Sequence, residues 1–164
     1  MNAPSDQSGV TVNRSMPPGT IIPELVYDDI NTAVVWLCKT FGFKERLRIG
    51  NHRSQLVFGE ASVIVVAKRL EHASHSPDIP ELHQRQGEAT HSIMVRVEDV
   101  DQHFEHVKQS GARIINPPTD FPYGERQYTV EDIGGHMWTF SQSVADVDPR
   151  EWGGMLLESA KDTD

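Results

Sequence analysis

The sequence repeats one pattern of structural signals at an offset of 70 residues, and this duplication limits the possible folds more than any other feature. Asp99 precedes a set of apolar residues at helical spacing, and Asp29 precedes a matching set 70 positions earlier. The two sets are Val100, Phe104 and Val107 in the second copy and Ile30, Val34 and Leu37 in the first. A repeat of this kind is identified before a fold is assigned, because each copy is one supersecondary unit.

The second copy predicts a strand, a helix and then further strands. The β-branched run 92–97 predicts a strand, and Asp99 can cap a helix that ends before Gly111, over about residues 100–110. The run Asn116-Pro117-Pro118 is expected to interrupt the chain after this helix. Two alternating runs then predict two more strands, at residues 126–130 and 136–141.

The first copy gives the same order of elements around the helix that begins after Asp29. Its predicted strands are residues 22–26, 43–49, 53–58 and 62–67. The sequence therefore predicts an α+β fold of two tandem βαβββ modules, module one over residues 20–68 and module two over 91–142. A connecting loop over 69–90 contains Pro77 and Pro80 and is longer than most loops, which favours a functional lid.

Length and composition indicate one cytoplasmic domain without a disulfide framework. The chain has 164 residues and a single cysteine, Cys38, whose place beside Leu37 on the first helix favours a buried small hydrophobe over a nucleophile. A net charge of −9 opposes nucleic-acid binding, which depends on neutralising phosphates. No signal-type segment or run of about 20 apolar residues supports export or membrane insertion.

The two ends of the chain are polar. Residues 1–19 predict a flexible N-terminal arm, and residues 143–164 predict a polar C-terminal tail. Three apolar residues of this tail could dock on the body of the protein or on a second subunit: Trp152, Met155 and Leu156.

Three short runs, placed in register with the repeat, resemble a known family. They are Val-Glu-Asp-Val-Asp at 97–101, Gln-Ser-Gly-Ala at 109–112 and Glu-Asp-Ile-Gly-Gly-His-Met-Trp-Thr-Phe at 131–140. Over residues 20–142 the chain resembles the vicinal oxygen chelate (VOC) superfamily, and within it the glyoxalase/bleomycin-resistance-like proteins. Ile133 stands where those proteins commonly have proline. The resemblance implies half-open curved sheets that pair to close a cavity, and a homodimer.

The resemblance also implies four positions that hold a divalent ion in the metal-dependent members. In this sequence those positions are Ile22, Val65, Ser92 and Thr139. First-row divalent ions bind to imidazole, carboxylate or thiolate groups, and none of these four side chains carries one. We therefore expect no metal and no other cofactor at this site.

Two sets of histidines are alternative metal ligands. His91 lies one residue before Ser92, and a register shift of one would bring it to the ligand position, but the same shift would bury Arg96 against the helix. Three further histidines lie in the predicted loop, where a solvated lid is the simpler interpretation: His72, His75 and His83. His103 and His106 are predicted on the polar side of the second helix, and His136 in a turn.

Alternation along the strands predicts which side chains face the cavity. An apolar cup with a few polar groups is expected from Ile22, Glu24, Val26, Val63, Val65, Ser92, Met94, Arg96, Met137, Thr139 and Ser141. Glu24 and Arg96 form either an ion pair at the cavity mouth or contacts to the ligand. Tyr123 and Tyr128 are predicted at the rim of the cup. Trp138 and Phe140 are predicted in the core.

Two functions are compatible with this cup. The first is a metal-independent small-molecule-binding protein that resembles the drug-sequestering bleomycin-resistance proteins. The alternative is a VOC-type enzyme, a lyase, isomerase or dioxygenase-like catalyst, with Glu24 as general base and Arg96 stabilising an anion on a small oxygenated substrate. Binding is preferred, since no further catalytic set occurs in the sequence. The expected partners are a small-molecule ligand and a second copy of the chain.

Overall fold

The computed structural model describes residues 11–68 and 90–157, which form two copies of one βαβββ unit. The elements are β1 (Glu24–Tyr27), α1 (Ile30–Phe41), β2 (Lys44–Ile49), β3 (Arg53–Phe58), β4 (Ala61–Ala67), β5 (Ser92–Arg96), α2 (Val100–Gln109), β6 (Arg113–Asp120), β7 (Glu125–Glu131), β8 (Met137–Ser143) and a 3₁₀ helix (Pro149–Trp152). Apart from Thr90, the predicted loop lies outside the described residues. The three loop histidines therefore also lie outside them.

The strands form two four-stranded sheets with the same order. Module one has the order β1-β4-β3-β2, and module two has the order β5-β8-β7-β6. In each sheet the first strand runs parallel to the last strand of its module, and the other neighbours are antiparallel. The predicted α+β fold of two tandem βαβββ modules is confirmed.

Both helices begin at the aspartates that the sequence repeat identified. The Asp29 side chain accepts a hydrogen bond from the backbone N–H of Thr32 at 3.1 Å, and Asp99 accepts one from Gln102 at 2.9 Å. These carboxylates satisfy N–H groups that have no partner within the first helical turn. α1 ends at Gly42, which adopts the left-handed conformation with φ 93°. The local capping signals therefore set the helix boundaries.

The two modules share one hydrophobic core. The Phe41 ring, at the end of α1, lies 5.3 Å from the Trp138 ring and 5.0 Å from the Phe140 ring of β8. Trp138 and Phe140 are fully buried, as predicted. Because each sheet contributes its helix-covered side to this core, the other side of each sheet points away from it. We call these outward sides the concave faces of module one and module two.

The prediction that Asn116-Pro117-Pro118 interrupts the regular structure after the second helix is wrong. β6 runs through both prolines, with irregular register between Ile114 and Thr119. β6 is the last strand in the order of its sheet, so its outer side has no strand to receive N–H groups. The outer edge accommodates one missing N–H, and the register shift between Asn116 and Thr119 leaves both prolines unpaired with β7, so no ladder hydrogen bond is lost. No helix in residues 11–68 and 90–157 is long and apolar enough to cross a membrane.

Candidate functional site

The concave face of module two carries most of the residues predicted to bind a ligand. In the parallel pair β5–β8, Ser92 lies opposite Met137, Met94 opposite Thr139 and Arg96 opposite Ser141. The intervening residues of both strands enter the core, as alternation predicts. The Met94 side chain is 62% exposed, so this face is open to solvent in the single chain.

A hydrogen-bond network around Glu125 makes this face polar. The hydroxyls of Ser141 and Ser143 donate to the two carboxylate oxygens of Glu125 at 2.6 and 2.5 Å. Arg96 donates to the Ser143 hydroxyl at 3.0 Å, and its guanidinium lies 3.9 Å from the carboxylate. The two hydroxyl donors, assisted by the Arg96 charge, hold the pKa of Glu125 below its usual range. Glu125 is therefore a stable anion at neutral pH.

Further polar contacts extend the network along β7. Gln127 donates to the Ser141 hydroxyl at 3.0 Å and accepts from the Tyr123 hydroxyl at 3.2 Å, while the hydroxyls of Thr129 and Thr139 lie 3.3 Å apart. The face of module two thus carries more polar groups than the predicted apolar cup with a few polar groups. Sequence reasoning missed three face residues that alternate with buried Tyr128 and Val130: Glu125, Gln127 and Thr129.

Tyr128 lies in the core and does not reach the rim. It is fully buried, and its hydroxyl lies 2.6 Å from Nδ1 of His103. The other ring nitrogen of His103 donates to the Phe41 carbonyl oxygen at 2.9 Å, which leaves Nδ1 to accept from the tyrosine hydroxyl. Burial lowers the pKa of His103. The predicted places of Tyr128 at the rim and His103 on the polar side of α2 are both wrong, because the two side chains contact each other inside module two and His103 also reaches Phe41 of module one.

Glu24 and Arg96 do not meet within the chain. Glu24 forms an ion pair with Arg53 on the concave face of module one, while Arg96 lies beside Glu125 on module two. The predicted Glu24–Arg96 pair is therefore absent among the described residues of one chain. Each of these two side chains has its charged partner inside its own module.

The predicted register of β4 is wrong by one residue. Val65 and Val63 belong to the core, and Val65 lies opposite Leu25. Ile64, opposite Glu24, is the residue that points to the concave face. The exchange of Val65 for Ile64 leaves an aliphatic side chain at this position of the expected metal site.

Of the predicted N-terminal arm, residues 1–10 lie outside the described residues, and residues 11–19, here called the N-terminal segment, lie on the concave face of module one. Gln55 and Ser62 lie on this face and are only 4% and 3% exposed. The Gln55 amide donates to the Ser15 carbonyl oxygen at 2.8 Å, and Arg46 donates to the Arg14 carbonyl oxygen at 2.6 Å. The segment thus covers the surface that corresponds to the open face of module two.

The donor set does not fit the divalent ion that the superfamily resemblance implies. The inherited positions hold aliphatic or hydroxyl side chains, which are poor ligands for first-row metals. In the described part of the chain, no three or more His, Cys, Asp and Glu residues come together as a possible ion site. His91 precedes β5 on the side of Ile93, and its ring lies 6.2 Å from that of His136. This position does not direct His91 to the concave face.

The run 131–140 builds the joint between the modules. Asp132, only 5% exposed, accepts hydrogen bonds from the Tyr27 hydroxyl at 2.5 Å and the Trp138 indole at 2.9 Å. The backbone N–H groups of Gly134 and His136 also donate to it, and the His136 ring lies 2.8 Å from the Val26 carbonyl oxygen. A β-carbon at Gly134 would lie 2.6 Å from the Tyr27 ring, so this close approach requires glycine.

The C-terminal residues contribute an aromatic group at one edge. The Trp152 ring lies 5.6 Å from the Tyr123 ring, which stacks on Phe121 at 5.4 Å. Trp152 thus contacts the body of the protein, which is one of the two predicted alternatives, but it is 43% exposed, and Met155 and Leu156 are more exposed.

Comparisons with known proteins agree with this architecture. The chain is 33% identical to TioX from Micromonospora sp. ML1, with a TM-score of 0.61 over 76% of this chain and 98% of that one. A glyoxalase/bleomycin resistance protein/dioxygenase from Nocardioides superposes with a TM-score of 0.66 at 19% identity, over 92% of this chain and 95% of that one. The fosfomycin resistance protein FosX from Listeria monocytogenes superposes with a TM-score of 0.57 at 16% identity, over 77% of this chain and 94% of that one.

Sequence comparison gives the same result. An uncharacterized protein of Mycobacterium tuberculosis is 26% identical over 152 residues, which cover 88% of this chain and 86% of that protein. The model of the Glyoxalase/Bleomycin resistance protein/Dioxygenase superfamily matches residues 20–140, and the chain belongs to this superfamily.

Proposed function

We propose that the protein binds a small molecule, without a metal, on the concave face of module two. The observation that carries this proposal is the exposure of a structured polar face: Met94 is 62% exposed beside a connected network of hydroxyl, amide and charged groups. Sites for small molecules typically combine apolar contact area with a few fixed polar groups.

The chemistry of the face favours an oxygen-rich ligand with an apolar part. The Arg96 guanidinium is exposed and can donate to a carboxylate, carbonyl or hydroxyl oxygen, and a shallow groove of about 340 Å³ opens beside it. Met94 and Met137 provide adaptable apolar contact. Bleomycin resistance, which the name of the superfamily includes, supports drug sequestration as the role of this face.

The enzyme alternative has less support from the geometry. Glu24, the candidate general base, is engaged by Arg53. The second carboxylate is Glu125, which accepts hydrogen bonds from two serine hydroxyls. These bonds lower its pKa, so Glu125 is a weak base. Because one carboxylate is held in an ion pair and the other is a weak base, we place this function second.

We propose that a second subunit completes the site. The concave faces point away from the shared core, so one chain alone leaves module two open. In a homodimer, module one of one chain could cover module two of the other. Light scattering should give a mass of twice 18.4 kDa, and a concentration-independent mass near 18.4 kDa would contradict the dimer.

Calorimetric titration of tag-free protein with metal-free bleomycin and with small 2-oxo acids tests the binding proposal. We expect saturable binding of one of these probes that is unchanged by EDTA. Thr139→Val, which removes one hydroxyl from the face, should weaken it about tenfold, and Thr32→Val on the outer side of α1 should not. Binding that Thr139→Val leaves unchanged would contradict the proposed place.

Elemental analysis separates the two functions. A metal-independent binding protein should purify without stoichiometric Ni, Zn, Fe, Mn or Co. About one metal per subunit, lost on His91→Ala, would favour the enzyme. Loss on changing His72, His75 or His83 would place the metal in the loop instead.

A further inference from the structure

The concave face of module one has an occupant supplied by the chain itself. Three of its side chains are buried: Gln55, Ser62 and Ile64. Ile64 does not belong to the shared core, and it lies opposite Gln55, which the N-terminal segment contacts, on the same side of the sheet. Pro17 in this segment is buried, whereas the adjacent Pro18 is exposed.

Two side chains of this face hold the backbone of the segment. Arg46 donates to the Arg14 carbonyl oxygen at 2.6 Å, and Gln55 donates to the Ser15 carbonyl oxygen at 2.8 Å. Arg46 also donates to the Gln55 side-chain oxygen at 2.6 Å, which fixes the orientation of the amide. Because the two acceptors are consecutive backbone carbonyls, this donor pair recognises a peptide-like backbone and not the side chains that it carries.

Ser62 shows that the segment does not use every polar group of this face. Its hydroxyl is buried next to the segment and has no hydrogen-bond partner among the described residues. A buried hydroxyl without a partner lowers stability, because it has lost its hydrogen bonds to water. A ligand that supplies a partner for Ser62 would gain an interaction that the segment lacks.

We propose that the concave face of module one is a second binding groove, for an extended peptide-like ligand with consecutive amide carbonyls, and that the N-terminal segment is its resident occupant. A ligand must displace the segment to bind. The segment is tethered, so it competes at an effective concentration on the order of millimolar. This inference concerns module one and does not depend on ligand binding to module two.

The test uses full-length protein in which the resident segment is weakened. Pro17→Gly removes the buried ring and leaves the groove intact, and Pro18→Gly is the matched control at an exposed proline. The probe is a fluorescein-labelled peptide of residues 11–20, TVNRSMPPGT, measured by fluorescence anisotropy. We expect at least tenfold tighter peptide binding to Pro17→Gly than to the wild type or to Pro18→Gly.

A second substitution locates the bound peptide. Gln55→Ala added to Pro17→Gly should weaken peptide binding at least tenfold, because it removes one of the two carbonyl donors. Equal binding to all four proteins, or no binding to Pro17→Gly, would overturn the proposal. Amide NMR spectra check that module two is unchanged, and Pro17→Ala replaces Pro17→Gly if the latter fails to fold.

Discussion

The two modules share one strand order but differ in what lies on their concave faces. On module one, Gln55 and Ser62 are buried under the chain's own N-terminal segment. On module two, Met94 and Arg96 are exposed beside a hydrogen-bonded polar network. Duplication of a fold therefore does not duplicate a site, because residues outside the repeat decide which face remains available.

The charged residues show the same divergence. Module one pairs the exposed Glu24 with the half-buried Arg53, whereas module two holds Glu125 with two hydroxyls and Arg96. A carboxylate with three defined partners keeps its orientation, and an exposed pair contributes little to stability. The polar chemistry of module two is thus the more organised of the two.

The two modules are held together by the contacts of Asp132, and Asp132→Ala should weaken this joint between them. The substitution leaves the Tyr27 hydroxyl and the Trp138 indole without their acceptor in a buried place. We expect the free energy of unfolding to fall by about 3–4 kcal/mol. Guanidinium denaturation followed by tryptophan fluorescence measures it.

The neighbouring residue provides the control for this prediction. Glu131→Ala removes an exposed ion pair with Arg113 at 3.0 Å and should cost less than about 1 kcal/mol. Similar losses for Asp132→Ala and Glu131→Ala would mean that the joint does not stabilise the two modules together.

Substituting one arginine on each face, in separate variants, tests whether the two faces differ in ligand binding. Arg96→Met removes the exposed cation of module two, and we expect it to weaken the binding of metal-free bleomycin or of the 2-oxo acid that binds at least tenfold, about 1.4 kcal/mol. Arg53→Met makes the same change on module one and should alter affinity less than about twofold. Calorimetry of both variants checks this, and equal losses would assign the ligand to both faces.

Two serine substitutions test whether the concave face of module one is buried and that of module two is open. Ser62→Ala removes the buried hydroxyl that has no partner in the described residues, and we expect a gain of about 1 kcal/mol in unfolding free energy. Ser92→Ala on the open face should change stability by less than about 0.5 kcal/mol. Loss of stability in Ser62→Ala would show that its hydroxyl does have a hydrogen-bond partner.

The titration of Glu125 should make a small contribution to the acid response of the protein. Its pKa is lower in the folded chain than in the unfolded chain, so the folded state binds fewer protons. This contribution is full above the unfolded pKa and disappears as pH falls through the lower pKa of the folded chain. Urea unfolding between about pH 6 and pH 3 should therefore show a slightly smaller loss of stability in Glu125→Gln than in the wild type.

Removing the hydroxyl donors should have a related effect. Ser141→Ala takes away one of the two hydrogen bonds that lower the pKa of Glu125, and NMR titration of the carboxylate should then show a higher pKa. An unchanged titration would mean that the hydroxyls are not the cause of the shift.

The sequence predicts the fold well because its signals are local. Asp29 and Asp99 cap helices through their own first turns, and alternation around Trp138 and Phe140 orients β5 and β8 correctly. These signals depend on nearby residues, so no knowledge of the tertiary structure is needed. The same reasoning places Ser92, Met94 and Thr139 on one face, while their role in binding stays a prediction.

The errors have a physical cause that lies outside local pattern. β4 is covered on one side by the core and on the other by the N-terminal segment, so Val63, Ile64 and Val65 are all buried and alternation carries no information. Tyr128 is equally ambiguous, because a ring with a polar end suits a rim as well as a buried partner such as His103. Only the tertiary structure supplies these partners.

The packing of Phe41 on the last strand has a consequence for synthesis on the ribosome. Its ring ends α1 of module one, but Trp138 and Phe140, which cover it, belong to β8 near the end of the described chain. Translation adds about 5–20 residues per second, so several seconds pass between these residues. During that interval, the nascent first module carries an uncovered aromatic surface of the kind that chaperones bind.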